Sequence, residues 1–232
     1  MRKLGLIGGT GYESTLVYYR ELNRKVNKKC GGRAFPEMAI ESLDLYKALE
    51  LVAAEDYEGL TAYIMEKLNA LAAGGADFAA LTAGTMHIVF DRLKDISPLP
   101  LAGIPEAVCE RAKALGFSKV RLLGTLTTME KDFFKDAFKA AGAAVTVPPK
   151  GDRLLIHKRI TSELEFGIVK ESTRKELITV IENMRDEEGI EAVVLGCTEL
   201  PLILDESCCP LPVLDIMAIH IDKLTELIHG EG

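Results

Sequence analysis

Gly75-Ala76-Asp77-Phe78-Ala79-Ala80-Leu81-Thr82-Ala83-Gly84-Thr85 and Gly189-Ile190-Glu191-Ala192-Val193-Val194-Leu195-Gly196-Cys197-Thr198 read as two versions of one device. Each opens on a glycine, passes a polar-tinged entry, runs through a short apolar stretch and ends in a small, polar turn. A continuous apolar run of this length is what a parallel strand covered on both faces requires. Six more runs resemble them: Lys3–Ile7, Met38–Leu43, Leu99–Gly103, Val120–Gly124, Ala143–Val147 and Pro212–Leu214. Between them lie helical patterns. Tyr57–Ala73 carries Leu60, Ile64, Leu68 and Leu71 at spacings of three and four, and Glu130–Ala141 and Ser172–Glu187 read similarly. Strands alternating with helices predict an α/β chain with parallel sheet. The strand candidates divide evenly around Pro98–Pro105, which together with the echo suggests two similar α/β halves with a cleft between them. Parallel strands resemble one another in any case, so the echo alone leaves duplication open.

Composition narrows the class. The chain has 232 residues, 48% hydrophobic and 27% charged, which excludes a disordered polymer. Lys and Arg number 28 against 35 Asp and Glu, a net charge of −7, so a nucleic-acid partner is not expected. The most apolar stretch, Leu68–Phe90, is interrupted by Asp77 and His87 and falls short of the ~20 residues that span a bilayer. The apolar segment after Met1-Arg2-Lys3 is too short for a secretory signal. Five cysteines follow no disulfide-scaffold or Cys-x-x-Cys spacing, and four histidines show no ligand spacing. The expectation is a reduced, cytoplasmic protein of enzyme size with no metal site.

Chemistry in an open α/β sheet sits beyond the carboxyl ends of the strands. Four such exits are rich in glycine and threonine: Gly8-Gly9-Thr10-Gly11-Tyr12-Glu13-Ser14-Thr15, Thr82-Ala83-Gly84-Thr85-Met86-His87, Gly124-Thr125-Leu126-Thr127-Thr128-Met129 and Gly196-Cys197-Thr198-Glu199-Leu200-Pro201. Glycine lets backbone N–H groups approach a ligand, and threonine adds hydroxyl donors. Such turns suit a carboxylate better than a nucleotide phosphate, because neither Gly-x-Gly-x-x-Gly nor a Walker lysine is present. Any one of them also reads as plain strand-to-helix punctuation. Cys197 follows a buried strand and precedes a short helix, a position that lowers a thiol pKa and equips it as nucleophile or proton acceptor; the other reading is a packing thiol. Cys30, Cys109, Cys208 and Cys209 read as core or surface residues. His87 and His220 follow helix starts and either face the cleft or pack within the fold.

Taken together and in order, these turns resemble the aspartate/glutamate racemase family of cofactor-independent amino-acid racemases over nearly the whole chain. The resemblance is carried by Gly8–Thr15, by Gly84-Thr85-Met86-His87, by Gly124-Thr125 with Thr128-Met129, by Gly196-Cys197-Thr198-Glu199 and by Asp215–His220. It implies two flavodoxin-like, Rossmann-like parallel-sheet halves related by pseudo-twofold symmetry. Their expected extents are 1–98 plus 212–232 for the first and 99–211 for the second, with the active site in the cleft. It further implies no pyridoxal phosphate, no metal and a homodimer. In the family, one thiolate removes the α-proton and the opposite thiol returns one on the other face, while amides and threonines hold the α-carboxylate. By this analogy Cys197 is one acid/base residue, and Gly9, Thr10, Gly84, Thr85, His87, Thr125, Thr127, Thr128, Thr198 and Glu199 contact the substrate.

The chain departs from that pattern in two places. The first catalytic cysteine falls on Ala83, and the asparagine after it on Gly84. Some relatives carry threonine in place of that cysteine, and Thr82 adjoins the position. In the distal pocket, the arginine of aspartate-specific members has no counterpart in Ala34–Asp91, and their lysine falls on Glu165, with Lys158 or Arg159 as conceivable substitutes. Three functions follow as expectations: a racemase using Cys197, one-sided for lack of a partner; a decarboxylase needing a single proton donor; or a non-catalytic amino-acid or dicarboxylate binder.

Overall fold

The computed structural model describes residues 1–230, which form two compact units, Met1–Ala107 with the chain from His220 onward, and Val108–Ile219. In the first unit β1 (Leu4–Gly8), α1 (Tyr12–Lys29), β2 (Met38–Ser42), α2 (Leu45–Ala53), α3 (Tyr57–Ala73), β3 (Phe78–Leu81), a 3-10 turn (Gly84–Val89), α4 (Phe90–Ile96) and β4 (Leu101–Ala102) follow in order. The chain passes to the second unit inside α5 (Ile104–Ala114). That unit holds β5 (Lys119–Leu123), α6 (Leu126–Glu130), α7 (Phe133–Ala140), β6 (Ala144–Thr146) and α8 (Lys150–Ser162). After a 3-10 turn at Leu164–Phe166 come α9 (Glu171–Glu188), β7 (Ala192–Leu195), a 3-10 turn at Leu200–Leu202 and β8 (Val213–Asp215). The chain returns to the first unit inside α10 (Ile216–His229).

Each unit carries one four-stranded sheet, ordered β2-β1-β3-β4 in the first and β6-β5-β7-β8 in the second, with every pairing parallel. The two orders are the same, so the echo heard in the sequence is a repeat of topology. In both sheets the chain reverses its direction of travel beside the first strand, and open α/β sheets bind ligands at such a reversal, here the carboxyl ends of β1 and β3 or of β5 and β7.

All eight strand candidates are present, and Tyr57–Ala73 is a helix over the residues its periodicity marked. Leu60, Ile64, Leu68 and Leu71 are buried, and Asp56 caps the helix by accepting from the Gly59 amide. Glu130–Ala141 is not one helix: Lys131 is extended (φ −77°, ψ 161°) and separates α6 from α7. The boundaries fall elsewhere than 98 and 212. β4 pairs with β3, which keeps residues up to Ala107 in the first unit, and β8 pairs with β7, which keeps residues up to Ile219 in the second.

Separate cores support the two units. One gathers Ile7, Ile64, Leu68, Leu81 and Phe90; the other Leu123, Ile160, Leu177, Val193 and Leu195. No described helix is long and apolar enough to cross a membrane.

Candidate active site

In the first unit β1 and β3 are neighbours, so their exit turns meet. Gly9 and Gly11 take φ of 87° and 94°, a left-handed backbone that glycine adopts without penalty. A Cβ on Gly9 would lie 2.3 Å from the Leu43 carbonyl oxygen. Thr15 closes the turn by accepting from the Gly9 amide at 3.0 Å. Thr10 sits at the apex, 9% exposed, and its hydroxyl has no hydrogen-bond partner among the described residues. A buried polar atom in that condition calls for a partner from outside the chain, a water, an ion or a ligand.

The second turn of this unit is occupied by structural duties. Thr82 is fully buried and its hydroxyl donates to the Ile7 carbonyl at 3.2 Å. His87 is 2% exposed; its Nδ1 lies 3.1 Å from the Ala83 carbonyl and its Nε2 3.0 Å from the Ile104 amide. A carbonyl only accepts and an amide only donates, so the proton is on Nδ1 and both nitrogens are committed. Burial lowers the ring's pKa to about 4. His87 thus ties the turn to the start of α5, and the Thr82 hydroxyl is bonded to β1. His220 is its counterpart on α10. It is fully buried, accepts from Tyr18 Oη at 2.8 Å on Nδ1, and donates from Nε2 to the Ala102 carbonyl at 3.2 Å. Burial, then the charge of His87, lowers its pKa to about 3. Ala83, Gly84 and Thr85 remain half-buried on the turn.

In the second unit β5 and β7 bring their exits together in the same way. Gly196 donates to the Leu123 carbonyl at 2.7 Å, and a Cβ there would come within 2.7 Å of Leu122 and 3.1 Å of Thr128. The glycine thus sets Cys197 beside the Thr125–Thr128 turn. Thr125 caps α6, and its Oγ1 lies 3.1 Å from that of Thr128. Thr127 and Thr198 are half-buried. The Cys197 thiol donates to Glu199 Oε2 at 2.8 Å, and Thr198 donates to Glu199 Oε1 at 2.8 Å.

This corrects the expected thiol chemistry. Cys197 is followed only by a one-turn 3-10 helix, and its nearest charge is a carboxylate. Burial first, then the negative charge of Glu199, holds the thiol well above the ordinary range, with Glu165 adding to it. Sequence reasoning named Glu199 only as a substrate contact; its place two residues after the cysteine was the available signal. No group of three or more His, Cys, Asp and Glu among the described residues is arranged to hold a metal ion.

The family model for Asp/Glu/hydantoin racemases matches residues 7–224. The chain belongs to this family. It is a racemase-type isomerase, and the expected two-unit α/β architecture is that of its structural relatives. An aspartate racemase homologue from Pyrococcus horikoshii OT3 is 36% identical, with 99% of this chain and all of that one covered at a TM-score of 0.88. A candidate Asp/Glu racemase from Yersinia pestis is 31% identical, with the same coverage and a TM-score of 0.94. RacX of Bacillus subtilis, a broad-specificity amino-acid racemase, is 21% identical over 226 residues, 93% of each chain.

Proposed function

We propose that this racemase-family chain acts on a free α-amino acid, with Cys197 as the single thiol that takes and returns the α-proton on one face. The observation carrying the reading is the Cys197–Glu199 hydrogen bond of 2.8 Å at the carboxyl end of β7, beside the hydroxyls of Thr125 and Thr128. When the thiol has lost its proton, Sγ takes the α-hydrogen as a proton. The C–H bond breaks, an S–H bond forms, and the electron pair passes from Cα into the α-carboxylate. The turn at Thr125–Thr128 and the amide of Thr198 hold that carboxylate and its growing charge. In heavy water the thiol exchanges with solvent and returns a deuteron to the same face. Ala83, at the family's first cysteine position, has no proton to supply, so exchange with retention runs faster than inversion. The reading takes the chain as a cytoplasmic homodimer working without pyridoxal phosphate or metal.

Two variants test the parts. Ala83→Cys with Gly84→Asn rebuilds the family's first motif and raises racemisation relative to exchange. The ratio is read by chiral chromatography against mass-detected deuterium incorporation. Equal, fast turnover of both enantiomers by the parent would assign the second acid/base to another residue.

Thr10→Val removes the buried, unpartnered hydroxyl. The unliganded melting temperature is expected to hold or rise, because no intramolecular bond is lost. The stabilisation conferred by a bound amino acid falls by about 1–3 kcal/mol, the usual effect of an unmade bond to a charged group. An unchanged ligand response would take Thr10 out of the substrate contacts.

A further inference from the structure

Between the 3-10 turn at Leu200–Leu202 and β8 the chain runs through Ile203-Leu204-Asp205-Glu206-Ser207-Cys208-Cys209. Ile203 and Leu204 are buried, and Asp205, Glu206 and Ser207 are exposed. The two cysteines are free, adjacent in sequence and half-buried against the core of the second unit. The turn closes on them. The amides of Cys208 and Cys209 both donate to the Asp205 carbonyl, at 3.2 and 2.9 Å. Cys208 Sγ accepts from the Asp205 amide at 3.4 Å, and its proton is shared between the carbonyls of Asp205 and Ile203 at 3.6 and 3.7 Å. The Ile203 carbonyl also accepts from Arg174 Nε of α9 at 3.0 Å. From Ile203 the contacts lead back to the candidate site. Its amide donates to the Leu200 carbonyl at 3.0 Å, and the Leu200 amide donates to the Cys197 carbonyl at 3.2 Å. A run of three hydrogen bonds therefore joins the Cys208 thiol to the backbone of Cys197, all within one unit.

We propose that Cys208 and Cys209 form a peroxide-sensitive dithiol, which closes into a reversible disulfide and, in closing, slows the reaction at Cys197. The second half rests on the reading that Cys197 works at Cα. Hydrogen peroxide is the oxidant. The Cys208 sulfur gives up its proton and attacks one peroxide oxygen. The O–O bond breaks, a sulfenic acid forms, and the departing oxygen takes the proton and leaves as water. The Cys209 sulfur then gives up its proton and attacks that of Cys208. The S–O bond breaks and a second water leaves as the S–S bond forms. Two thiols and one peroxide become one disulfide and two waters. Cys208 takes the first step because it follows the exposed Ser207, whereas burial raises the Cys209 thiol. Adjacent Cα atoms stand ~3.8 Å apart across a trans peptide, short of the ~4.4–6.8 Å that disulfides usually span. The closed ring is therefore strained, and strained disulfides are the ones that a dithiol readily reduces. Closure also removes the proton that Cys208 gives to the Ile203 and Asp205 carbonyls. The turn loses its closing contact, and the hydrogen bonds that run to Cys197 lose their outer end. Cys197 itself is a poor target for peroxide, because burial and Glu199 hold its proton.

The test treats the reduced, full-length protein with hydrogen peroxide, blocks the remaining thiols with iodoacetamide and maps the peptides by mass spectrometry. The peptide bearing both cysteines is expected to lose two hydrogens and escape alkylation, and dithiothreitol restores it. Cys197→Ser closes the same disulfide, which excludes Cys197 as the partner sulfur. α-Deuterium incorporation into amino acids is expected to fall by about tenfold on closure, the upper part of what a coupled element of this kind transmits, and to recover on reduction. Cys208→Ser and Cys209→Ser keep the untreated rate and lose the response to peroxide. Peroxide that leaves both thiols free, carries them on to sulfinic acid or joins either of them to Cys197 overturns the proposal. A disulfide that forms with the rate unchanged, or a rate loss that persists in Cys208→Ser, overturns the coupling to Cys197. Absence of exchange on every amino acid before treatment overturns the reading of Cys197 and the coupling with it, and the mass map alone then decides the disulfide.

Discussion

Cys197→Ala is expected to abolish α-proton exchange, lowering kcat/KM by about 10³-fold or more, the upper part of the range for a positioned acid/base. Under the proposed reading Ala83 holds the position of the family's partner thiol, so no second thiol is expected to take over. The rate itself should be pH-dependent in a particular direction. Burial and Glu199 hold the Cys197 proton well above the ordinary thiol range. In the proposed reaction the working form is the thiolate, so kcat/KM is expected to climb steadily through alkaline pH and reach no plateau near neutrality. Glu199→Gln removes the carboxylate charge while preserving a side chain that can still meet Thr198. The thiol pKa then falls and the rising limb moves to lower pH. Stopped exchange at a series of pH values, with iodoacetamide labelling of Cys197 as an independent titration, measures both. A profile that is flat from pH 7 to pH 10, or a limb that moves upward in Glu199→Gln, would remove Glu199 from control of the thiol.

The second large effect is on acid stability. His87 and His220 are buried and neutral, with pKa values lowered to about 4 and about 3. In the unfolded chain each titrates near 6.5. Above that value both states are neutral and the histidines contribute no pH dependence. As pH falls below it, the unfolded chain binds protons that the folded chain refuses, so stability declines until the folded pKa values are reached. Each site is worth roughly 1.4 kcal/mol per pH unit in that window. Together they remove on the order of 5 kcal/mol between pH 6.5 and pH 4.5, comparable to the whole stability of many domains. The groups facing the pair do not reverse this: Glu106 raises His87, but burial is the larger cause, and His87 itself lowers His220. Urea midpoints measured between pH 7.5 and pH 4.5 should fall throughout. His220→Gln, which can keep a donor towards Ala102, should reduce the slope by about half. Glu163 and Glu191 also have lowered pKa values, but carboxylates that start below 4.5 act under this window. Constant midpoints from pH 7 to pH 5 would show that the imidazoles are protonated inside the fold.

Much of the architecture was legible from residues alone because parallel strands buried on both faces announce themselves. Phe78–Leu81 and Ala192–Leu195 are apolar at every position, and a strand half-open to solvent would have alternated. Tyr57–Ala73 was equally plain, having one apolar stripe and a capping aspartate. β8 was the hard case. Its three residues fit either sheet by composition, and only the register Val193↔Val213 settles its partner. The site divided along a similar line. Gly9, Gly196 and the threonine turns could be placed because strand exits have a fixed meaning in this topology. The state of Cys197 could not, because a thiol's pKa depends on which group points at it. His87 and His220 were ambiguous for the same reason. His220 meets its acceptor at Ala102 across 118 residues of sequence, and no local pattern encodes that contact.

That contact also bears on the order in which the protein can be made. Synthesis delivers residues from the amino end, yet the first unit includes the chain from His220 onward. Until those residues clear the ribosome, Tyr18 has no imidazole to meet, and the Arg2 amide lacks its partner at the Ile228 carbonyl. The second unit, Val108–Ile219, is complete earlier. The half translated first is therefore the half finished last. A nascent chain with residues up to Ile219 outside the ribosome and His220 onward still within it would carry one complete unit and one still waiting for its closing helix.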